Sequence, residues 1–291
     1  MSEFLESPIE NQSGLNEGEL IKAQYGDGGL NLKLRWQVYK HAQTPLDIIS
    51  DVIGKSNIET SDSLLDVGCN DGEFLDTMRM NGHLGKLVGL DVSKSPLEYG
   101  NQRQKNHNSD IRYINGSAEE LPLSTDSFDT ATTLFTLYHV ANPEKALKEI
   151  RRVVKPNGSV IVSTSGAKNK ILHRAFERLI ANELNVEPPK IFNSGFTTEI
   201  AQRVLPYFFD VKHRIDHLTD MKISTITQMG DYVLSLMSMR TAFAPVPSKD
   251  AYSEALDRIG NGLIHTQKNN PELKLIDSID RTYYICKNNK K

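Results

Sequence analysis

The sequence has few cysteines and no long apolar runs. Cys69 and Cys286 are the only two thiols in 291 residues, too few for a disulfide framework or for a cysteine-rich zinc or iron–sulfur site. No stretch approaches the ~20 apolar residues that a membrane helix requires. The first 14 residues carry three glutamates and no apolar run, so we expect no signal peptide. We therefore expect a cytoplasmic protein with no membrane partner and no bound metal.

Basic charge is also not concentrated, apart from the short tail Lys287–Lys291. The formal net charge is -3, with 38% hydrophobic and 24% charged residues. Affinity for nucleic acid needs clustered lysine and arginine, so we expect no nucleic-acid partner. The length suits one α/β core with an additional subdomain.

Between residues 63 and 164 short β-type runs alternate with helical runs. Such alternation implies right-handed crossovers and a parallel sheet with helices on both faces. The predicted strands are Ser63–Val67, Lys86–Leu90, Ile111–Asn115, Thr130–Leu134, Ser159–Ser163, Phe208–Ile215 and Arg281–Cys286. We therefore predict an α/β fold with a doubly wound, mostly parallel, seven-stranded sheet.

The pattern divides the chain into three predicted parts. One or two helices are expected over 28–54, with Pro45 in a first helical turn, and Pro156-Asn157-Gly158 is expected to be a turn. Residues 217–277 show helical patterns but few strands. The parts are an N-terminal arm with cap helices (1–60), the α/β core (61–216 with 278–291) and a helical, substrate-binding lid inserted before the last strand (217–277).

The segment Leu64–Leu75 places a turn of small residues between a strand and a helix. Gly68 and Gly72 lack a β-carbon, so we expect the backbone to approach a ligand closely there. Open α/β sheets bind ligands at the carboxyl ends of their strands, where the strand order reverses. Asp66 lies at such a strand end, where an anion can meet an ammonium group.

Asp91 ends the next predicted strand, where an acidic side chain can accept hydrogen bonds from both ribose hydroxyls. Its alternative roles are a helix cap or a surface residue. NAD would be an alternative ligand, but its fingerprint is Gly-x-Gly-x-x-Gly. The turn here reads Gly68-x-Asn70-x-Gly72 after an acidic strand end, which disfavours a nicotinamide cofactor.

Three further segments follow in order, Asn115–Pro122, Ser127–Val140 and Ala146–Gly158. Together with the two strand ends they resemble the class I S-adenosylmethionine (SAM)-dependent methyltransferases, in particular the small-molecule branch with the type 11 domain. The resemblance is strong over 61–165 and weaker over 196–216 and 278–287. It implies a Rossmann-like fold, and SAM as the methyl donor that is converted to S-adenosylhomocysteine.

The resemblance also implies a role for each residue of the two strand ends. Asp66 would fix the methionyl ammonium of SAM, directly or through water. Gly68 and Gly72 would let the turn pass under the methionine and ribose. Asp91 would hold the ribose hydroxyls, with Val92 against the adenine face.

Further cofactor contacts are implied after the third and fourth strands. Ser117, Ala118 and Glu119 would border the adenine, and Leu134 would lie beneath the methionine near the transferred methyl. The family usually has a glycine where this chain has Asn70, although asparagine tolerates the same left-handed backbone. It often has an aspartate at the position of Ser117, so adenine recognition would depend more on its two neighbours.

Two residues are candidates for catalysis. His139 follows the fourth strand, and its imidazole could take a proton from a nucleophile; alternatively, Tyr138 and His139 cap a helix and pack. Tyr25 could close over the cofactor from the N-terminal arm, with an ordinary loop aromatic as the alternative. Three further histidines lack the spacing typical of ligands and are assigned to the surface or the lid, namely His213, His217 and His265.

The implied activity is methyl transfer from SAM to an O, N, S or carbon nucleophile of a small metabolite, such as a biosynthetic intermediate. Adenine-N6 and glutamine methyltransferases carry an Asn/Asp-Pro-Pro-Tyr-type segment after strand four, where this chain has Leu134–Leu137. A peptide or protein side-chain methyltransferase and an inactive SAM-binding protein are the alternatives. We expect a monomer or a homodimer.

Overall fold

A seven-stranded sheet forms the centre of the computed structural model, with the strand order β3-β2-β1-β4-β5-β7-β6. Neighbouring strands among the first five pair in parallel, and β7 runs antiparallel between β5 and β6. The strands are β1 Leu64–Val67, β2 Leu87–Asp91, β3 Arg112–Asn115, β4 Phe128–Leu134, β5 Val154–Ser165, β6 Asp210–Lys222 and β7 Ile276–Lys287. The prediction of a doubly wound, mostly parallel sheet is confirmed.

The structure describes residues 39, 42, 47–107, 110–166, 171–186, 196–225, 228, 232 and 249–290. The helices in these ranges are α1 Ile48–Lys55, α2 Glu73–Met80, α3 Lys94–His107, α4 Pro143–Val153, α5 Ile171–Glu183, α6 Thr198–Val204 and α7 Lys249–Asn269. In this part of the chain no helix is long and apolar enough to cross a membrane.

The centre of the sheet is covered on both faces. All four residues of β1 are buried, and successive side chains point to opposite faces. Leu65 and Val67 pack in one apolar cluster with α4, whereas Leu64 packs in another with α1 and α2. Burial on both faces is typical of parallel sheets, and it leaves the strand ends as the place for a ligand.

The first described helix begins later than the sequence suggested. Asp47 is the N-cap of α1, and its carboxylate accepts hydrogen bonds from the backbone N–H groups of Ile49 and Ser50 at 3.1 and 3.2 Å. An aspartate side chain that satisfies these free donors fixes the helix start. The prediction that the first helical turn contains Pro45 is therefore wrong for α1, and Pro45 itself lies outside the described residues.

The predicted turn at Pro156-Asn157-Gly158 is instead an irregular part of β5. The pairing of β5 with β4 shifts register here, from Phe128↔Val154 to Thr130↔Ser159. Asn157 has a φ of 62°, and its backbone N–H donates to the carbonyl of Asn288 at 2.8 Å. The Asn-Gly pair thus makes a bulge that β7 still pairs with, rather than a separate turn.

The last two strands are longer than predicted. β6 and β7 pair from Asp210↔Lys287 to Lys222↔Ile276, but β7 pairs with β5 only as far as Ser165↔Arg281. Residues 217–222 and 276–277, predicted as part of the helical lid, therefore extend this strand pair beyond β5. The end of β6 is half-exposed and contains polar residues such as His217 and Asp220. Its sequence therefore lacks the apolar alternation that predicts a strand.

A second apolar core forms where this strand pair leaves the sheet. It joins α5, α7 and the ends of β6 and β7, and contains Phe176, Ile180, Met221, Tyr232, Leu256, Ile264 and Ile279. The Tyr232 hydroxyl donates to the buried carboxylate of Asp277 at 2.8 Å. Helix α7 is inserted before the last strand, as predicted, while its action as a lid stays a prediction.

Candidate functional site

Asp66 is a buried carboxyl group in β1, between β2 and β4 of the sheet. Its side chain is 3% exposed and accepts a hydrogen bond from the Thr132 hydroxyl of β4 at 2.6 Å. Burial, only partly offset by this hydrogen bond, raises the pKa of Asp66 to about 7, and the nearby charge of Asp91 adds to the increase. A cation beside it would favour the ionised form and lower this pKa.

Asp91 connects the end of β2 to the turn after β1. One carboxylate oxygen accepts from the backbone N–H of Asn70 at 2.9 Å, and the other accepts from that of Ser93 at 2.8 Å. Burial raises the pKa of Asp91, although the hydrogen bonds from Ser93 and Asn70 oppose the increase. Each carboxylate oxygen has a second lone pair, so the group can accept further hydrogen bonds.

The turn between the two carboxyl groups has a left-handed backbone at three positions. The φ angles are 78° at Gly68, 50° at Asn70 and 79° at Gly72, and Asn70 thus adopts the conformation expected of it. However, a β-carbon at Gly68 would lie 2.2 Å from the Thr136 side chain, and one at Gly72 would lie 1.9 Å from the Tyr113 hydroxyl. Protein side chains therefore fill the space that a β-carbon would take at these glycines, and the close approach of a ligand to the backbone of this turn stays a prediction.

Replacing Gly72 with alanine is expected to destabilise the fold more than replacing Gly82. Both have positive φ, 79° and 86°, so each substitution costs about 1–2 kcal/mol of left-handed strain. A β-carbon at Gly82 meets nothing within 4 Å, whereas at Gly72 overlap with Tyr113 adds about 1–3 kcal/mol. Urea unfolding of both variants measures the difference.

The control for this comparison is Gly54→Ala in α1. A β-carbon at Gly54 also meets nothing within 4 Å, and alanine should stabilise the helix by about 0.5–1 kcal/mol. Equal losses of unfolding free energy at Gly72 and Gly82 would show that Tyr113 does not restrict the turn.

Arg103 of α3 holds the other side of the turn. Its guanidinium donates to the backbone carbonyl of Asp71 at 2.6 Å and to the carboxylate of Asp71 at 3.1 Å. The same group pairs with Asp76 of α2. Charge-assisted bonds of this kind are strong and directional, and they fix the turn against α3. No sequence pattern predicts these bonds of Arg103, because they depend on contact between separate helices.

Asn115 brings the third strand end into the same site. Its side-chain amide donates to the carbonyls of Asp91 and Val92 at 3.0 and 2.9 Å. These bonds hold the loop after β3 beside the loop after β2. Asn115 was within a segment recognised in the sequence but had no assigned role.

The predicted adenine-binding residues lie in this loop after β3. The Ser117 hydroxyl accepts from the backbone N–H of Glu119 at 3.2 Å, and Ala118 packs against the main apolar core. One oxygen of Glu119 accepts from the backbone N–H of Asn142 at 3.1 Å, which ties the loop to the start of α4. The second oxygen of this carboxylate remains available as an acceptor.

The end of β4 contains an unusual backbone conformation. Leu134 is half-buried, and Phe135 after it has a φ of 54°. The backbone N–H of Phe135 donates to the Ser163 hydroxyl at 2.9 Å. A bulky residue in the left-handed region is an outlier that often occurs at a functional site. Sequence reasoning assigned Leu134 and missed Phe135, whose backbone angle has no sequence signal.

The structure places His139 in a 3-10 turn, Leu137–His139, that follows β4. Its ring is half-buried and lies edge to face with Tyr138, with 4.4 Å between ring centres. This contact agrees with the packing alternative, and the role of His139 as a base stays a prediction. Tyr25 lies outside the described residues. In the described ranges, no group of three or more His, Cys, Asp or Glu residues could hold a metal ion.

The chemistry of these groups fits SAM. Two carboxyl groups lie at adjacent strand ends, suited to an ammonium and to hydroxyl donors. The side-chain oxygen of Asn70 is buried without a hydrogen-bond partner among the described residues. Such an unsatisfied acceptor is costly, and a donor from a bound ligand would satisfy it.

The comparisons with known proteins agree with this fit. Residues 65–162 match the family model described as "Methyltransferase domain". These residues contain β2 to β4 and most of β1 and β5, and thus both carboxyl groups and the turn between them. Over these residues, which are less than half of the chain, the sequence is similar to methyltransferase domains.

Relatives by sequence include proteins named as quinone methyltransferases. The demethylmenaquinone methyltransferase of Oceanobacillus iheyensis is 34% identical over 113 residues, 38% of this chain and 48% of that protein. The ubiquinone/menaquinone biosynthesis C-methyltransferase UbiE of Hahella chejuensis is 31% identical over 129 residues, 43% of this chain and 52% of that protein. The chain thus spans about half the length of the curated relatives it matches.

Solved structures share the fold over most of the chain. A methyltransferase candidate from Bacillus halodurans has a TM-score of 0.60 at 12% identity and covers 84% of this chain and 100% of that one. A [4+2]-cyclase has a TM-score of 0.54 at 16% identity, with 82% and 80% covered. At these identities the likeness concerns the fold, and the name of the second protein illustrates that a fold does not define a reaction.

Proposed function

We propose that the protein transfers a methyl group from SAM to an O, N or C nucleophile of a small-molecule metabolite in biosynthesis. The observation that carries this proposal is the position of the Gly68–Gly72 turn between two carboxyl groups, of which Asp66 is buried and Asp91 is half-buried. Asp91 accepts the N–H of Asn70 in that turn, and Asp66 lies at the adjacent strand end. The site therefore presents acceptors for an ammonium and for two hydroxyls on one sheet edge.

The cofactor-binding roles are divided among the strand ends. Asp66 would bind the methionyl ammonium, and Asp91 the ribose hydroxyls, with Val92 against the adenine. In the loop after β3, Ser117, Ala118 and Glu119 would border the adenine edge. Leu134, at the end of β4, would lie near the reacting methyl.

The contribution of the chain to the reaction is mainly alignment and exclusion of water. Bound SAM supplies a methyl group already activated by its sulfonium. Holding a nucleophile in line with it can contribute about 7–11 kcal/mol through proximity. A base is required only for a nucleophile that keeps its proton at neutral pH, and His139 is our candidate for that role.

The names of the relatives support a small-molecule acceptor. Both are quinone methyltransferases by name, but their matches cover 38% and 43% of this chain. Pockets that choose a substrate depend on residues outside the shared cofactor site. A quinol is therefore one of the compounds to test as a substrate, but we do not assign it as the substrate.

A turnover assay tests the proposal. Purified protein with SAM is incubated with a panel of quinols, carboxylic acids and amines, and separately with peptides, and released S-adenosylhomocysteine is measured. We expect release with a small molecule and none with peptides. Release with peptides alone would favour the protein side-chain alternative. SAM binding without release on either panel would favour an inactive SAM-binding protein.

A further inference from the structure

A small cavity lies where the β6–β7 pair extends past the sheet. Its volume is about 120 Å³, and its wall contains the polar residues His217, Thr219 and Arg281 beside Tyr39 and the apolar Ile279. A water molecule's share of liquid volume is about 30 Å³, so the cavity exceeds what one water needs. It is smaller than the roughly 300–1,000 Å³ that enclose a drug-sized ligand, and thus suits one end of a ligand.

Arg281 is held in this cavity by two aromatic rings. Its guanidinium carbon lies 4.2 Å from the ring centre of Tyr39 and 5.5 Å from that of Phe135. Both distances are within the range of cation–π attraction. In the described part of the chain, no carboxylate forms an ion pair with Arg281. The rings fix the cation while leaving its charge without a counter-anion from these residues.

His217 is a second oriented polar group on the same wall. It pairs in register with Arg281 across the two strands, and its Nε2 lies 3.0 Å from a carboxylate oxygen of Asp51. Its ring stacks on Tyr283 with 5.7 Å between centres. Because an ionised carboxylate only accepts hydrogen bonds, Nε2 carries the proton and the ring orientation is set.

The carboxylate of Asp51 is itself held in the ionised form. Tyr283 donates to it at 2.5 Å, and Lys55 pairs with it at 2.8 Å. Burial alone would raise the pKa of Asp51, but the hydrogen bonds from Lys55 and Tyr283 outweigh it and lower the pKa. Asp51, which orients the His217 ring, is therefore an ionised carboxylate that several side chains hold in place.

Phe135 links this cavity to the cofactor site. It directly follows Leu134, which pairs with Ser163 of β5, and Arg281 pairs with Ser165 two residues further along the same strand. The left-handed backbone at Phe135, with a φ of 54°, accompanies the placement of its ring beside Arg281. The cavity thus adjoins the carboxyl end of β4, where the methyl is expected.

We propose that this cavity binds a carboxylate group of the methyl-accepting substrate, with Arg281 as the anion-binding residue and the His217 ring, oriented by Asp51, as a wall of the cavity. The proposal rests on the proposed function and adds the substrate class, a carboxylic acid with an apolar body. A guanidinium matches a carboxylate through two parallel hydrogen bonds. The apolar part would contact Tyr39 and Ile279. A neutral quinol lacks the recognised group.

The test uses benzoate as the probe and neutral benzamide as its matched control. Binding of each to protein saturated with S-adenosylhomocysteine is followed by protein-observed NMR titration. We expect benzoate to bind and Arg281→Gln to weaken it about ten- to a hundredfold, as for loss of a charged hydrogen-bond pair. His217→Gln should weaken it less. The control Arg258→Gln, on the exposed face of α7, should change nothing.

The outcomes separate the two proposals. Equal benzoate affinity in wild type and Arg281→Gln, or equal binding of benzamide and benzoate, overturns the carboxylate site. If S-adenosylhomocysteine fails to bind but benzoate still depends on Arg281, the proposed function fails while the anion site stands. If Arg281→Gln does not fold, Arg281→Lys replaces it in the test. Lysine keeps the charge but loses the forked geometry, so this variant is expected to bind benzoate severalfold more weakly. Unchanged benzoate affinity in Arg281→Lys overturns the carboxylate site.

Discussion

Replacing Asp91 with alanine is expected to weaken SAM binding at least a hundredfold. Two ribose hydroxyls that donate to an ionised carboxylate contribute about 1.5–3 kcal/mol each, and each 1.4 kcal/mol is about tenfold in affinity. The substitution also removes the acceptor for the backbone N–H groups of Asn70 and Ser93. The turn after β1 would then lose this side-chain connection to β2 and keep only the backbone bonds to Leu90. Calorimetric titration of the variant with SAM measures the effect.

Two further variants test whether the loss of SAM affinity comes from the missing carboxylate. Asp91→Asn keeps a side-chain oxygen that can hold Asn70, so it should retain more affinity than the alanine variant. Asp257→Ala removes a carboxylate from an exposed position of α7 and should bind SAM as wild type does. Unchanged SAM affinity in Asp91→Ala would show that the carboxylate at the end of β2 does not contact the ligand.

SAM binding at pH 6.5 is expected to release a proton from Asp66. Burial raises the pKa of this carboxyl to about 7, so it is mainly protonated at that pH before the ligand binds. The ammonium of SAM then favours the carboxylate, and roughly half to one proton should leave per molecule bound. Calorimetry at pH 6.5 in buffers of different ionisation enthalpy measures this number. It should fall toward zero at pH 8.5.

The variant Asp66→Asn tests the same group in the absence of ligand. Since the folded-state pKa of about 7 lies above the ordinary value of 3.8, the neutral form stabilises the fold. This stability is fully present below the ordinary pKa and is lost as pH rises through about 7. Between these two pKa values the free energy of unfolding should fall by about 4 kcal/mol, at 1.36 kcal/mol per pKa unit. Asp66→Asn should not show this fall.

Urea unfolding of ligand-free protein between pH 4 and 8.5 gives the comparison, with Asp257→Asn as the matched control. Asp66→Asn should also bind SAM weakly and without proton release. If wild type and Asp66→Asn show the same pH dependence of unfolding free energy and the same proton release, the buried carboxyl is not the ammonium-binding group.

The central sheet could be predicted because its signals are local. Leu64, Leu65 and Val67 form a short apolar run that ends at a glycine turn, and this pattern gives both a buried strand and a strand-to-helix turn. The positions of Asp66 and Asp91 follow from it, since parallel strands end at the same edge. The left-handed backbone at Asn70 could be expected from the chemistry of asparagine alone.

The remaining features depend on contacts between distant parts of the chain. His217 and Asp51 are 166 residues apart in sequence, and no spacing pattern joins them. Tyr113, whose side chain fills the space beside Gly72, lies in β3. The sequence of β3 predicted a strand, but it did not predict that this side chain contacts the turn. The extension of β6 and β7 was hidden because its residues are half-exposed and polar. Its partner strand, rather than its own composition, keeps it extended.

Calorimetric titration of the wild-type protein with SAM, S-adenosylhomocysteine and NAD shows whether the turn between Asp66 and Asp91 binds SAM. We expect one molecule of SAM or S-adenosylhomocysteine bound per chain, with affinity roughly in the micromolar range, and no heat of binding with NAD. Binding of NAD, or no binding of either SAM or its product to protein freed of co-purified ligand, would contradict this expectation. The turn between Asp66 and Asp91 would then be a structural element of the sheet and not a cofactor site.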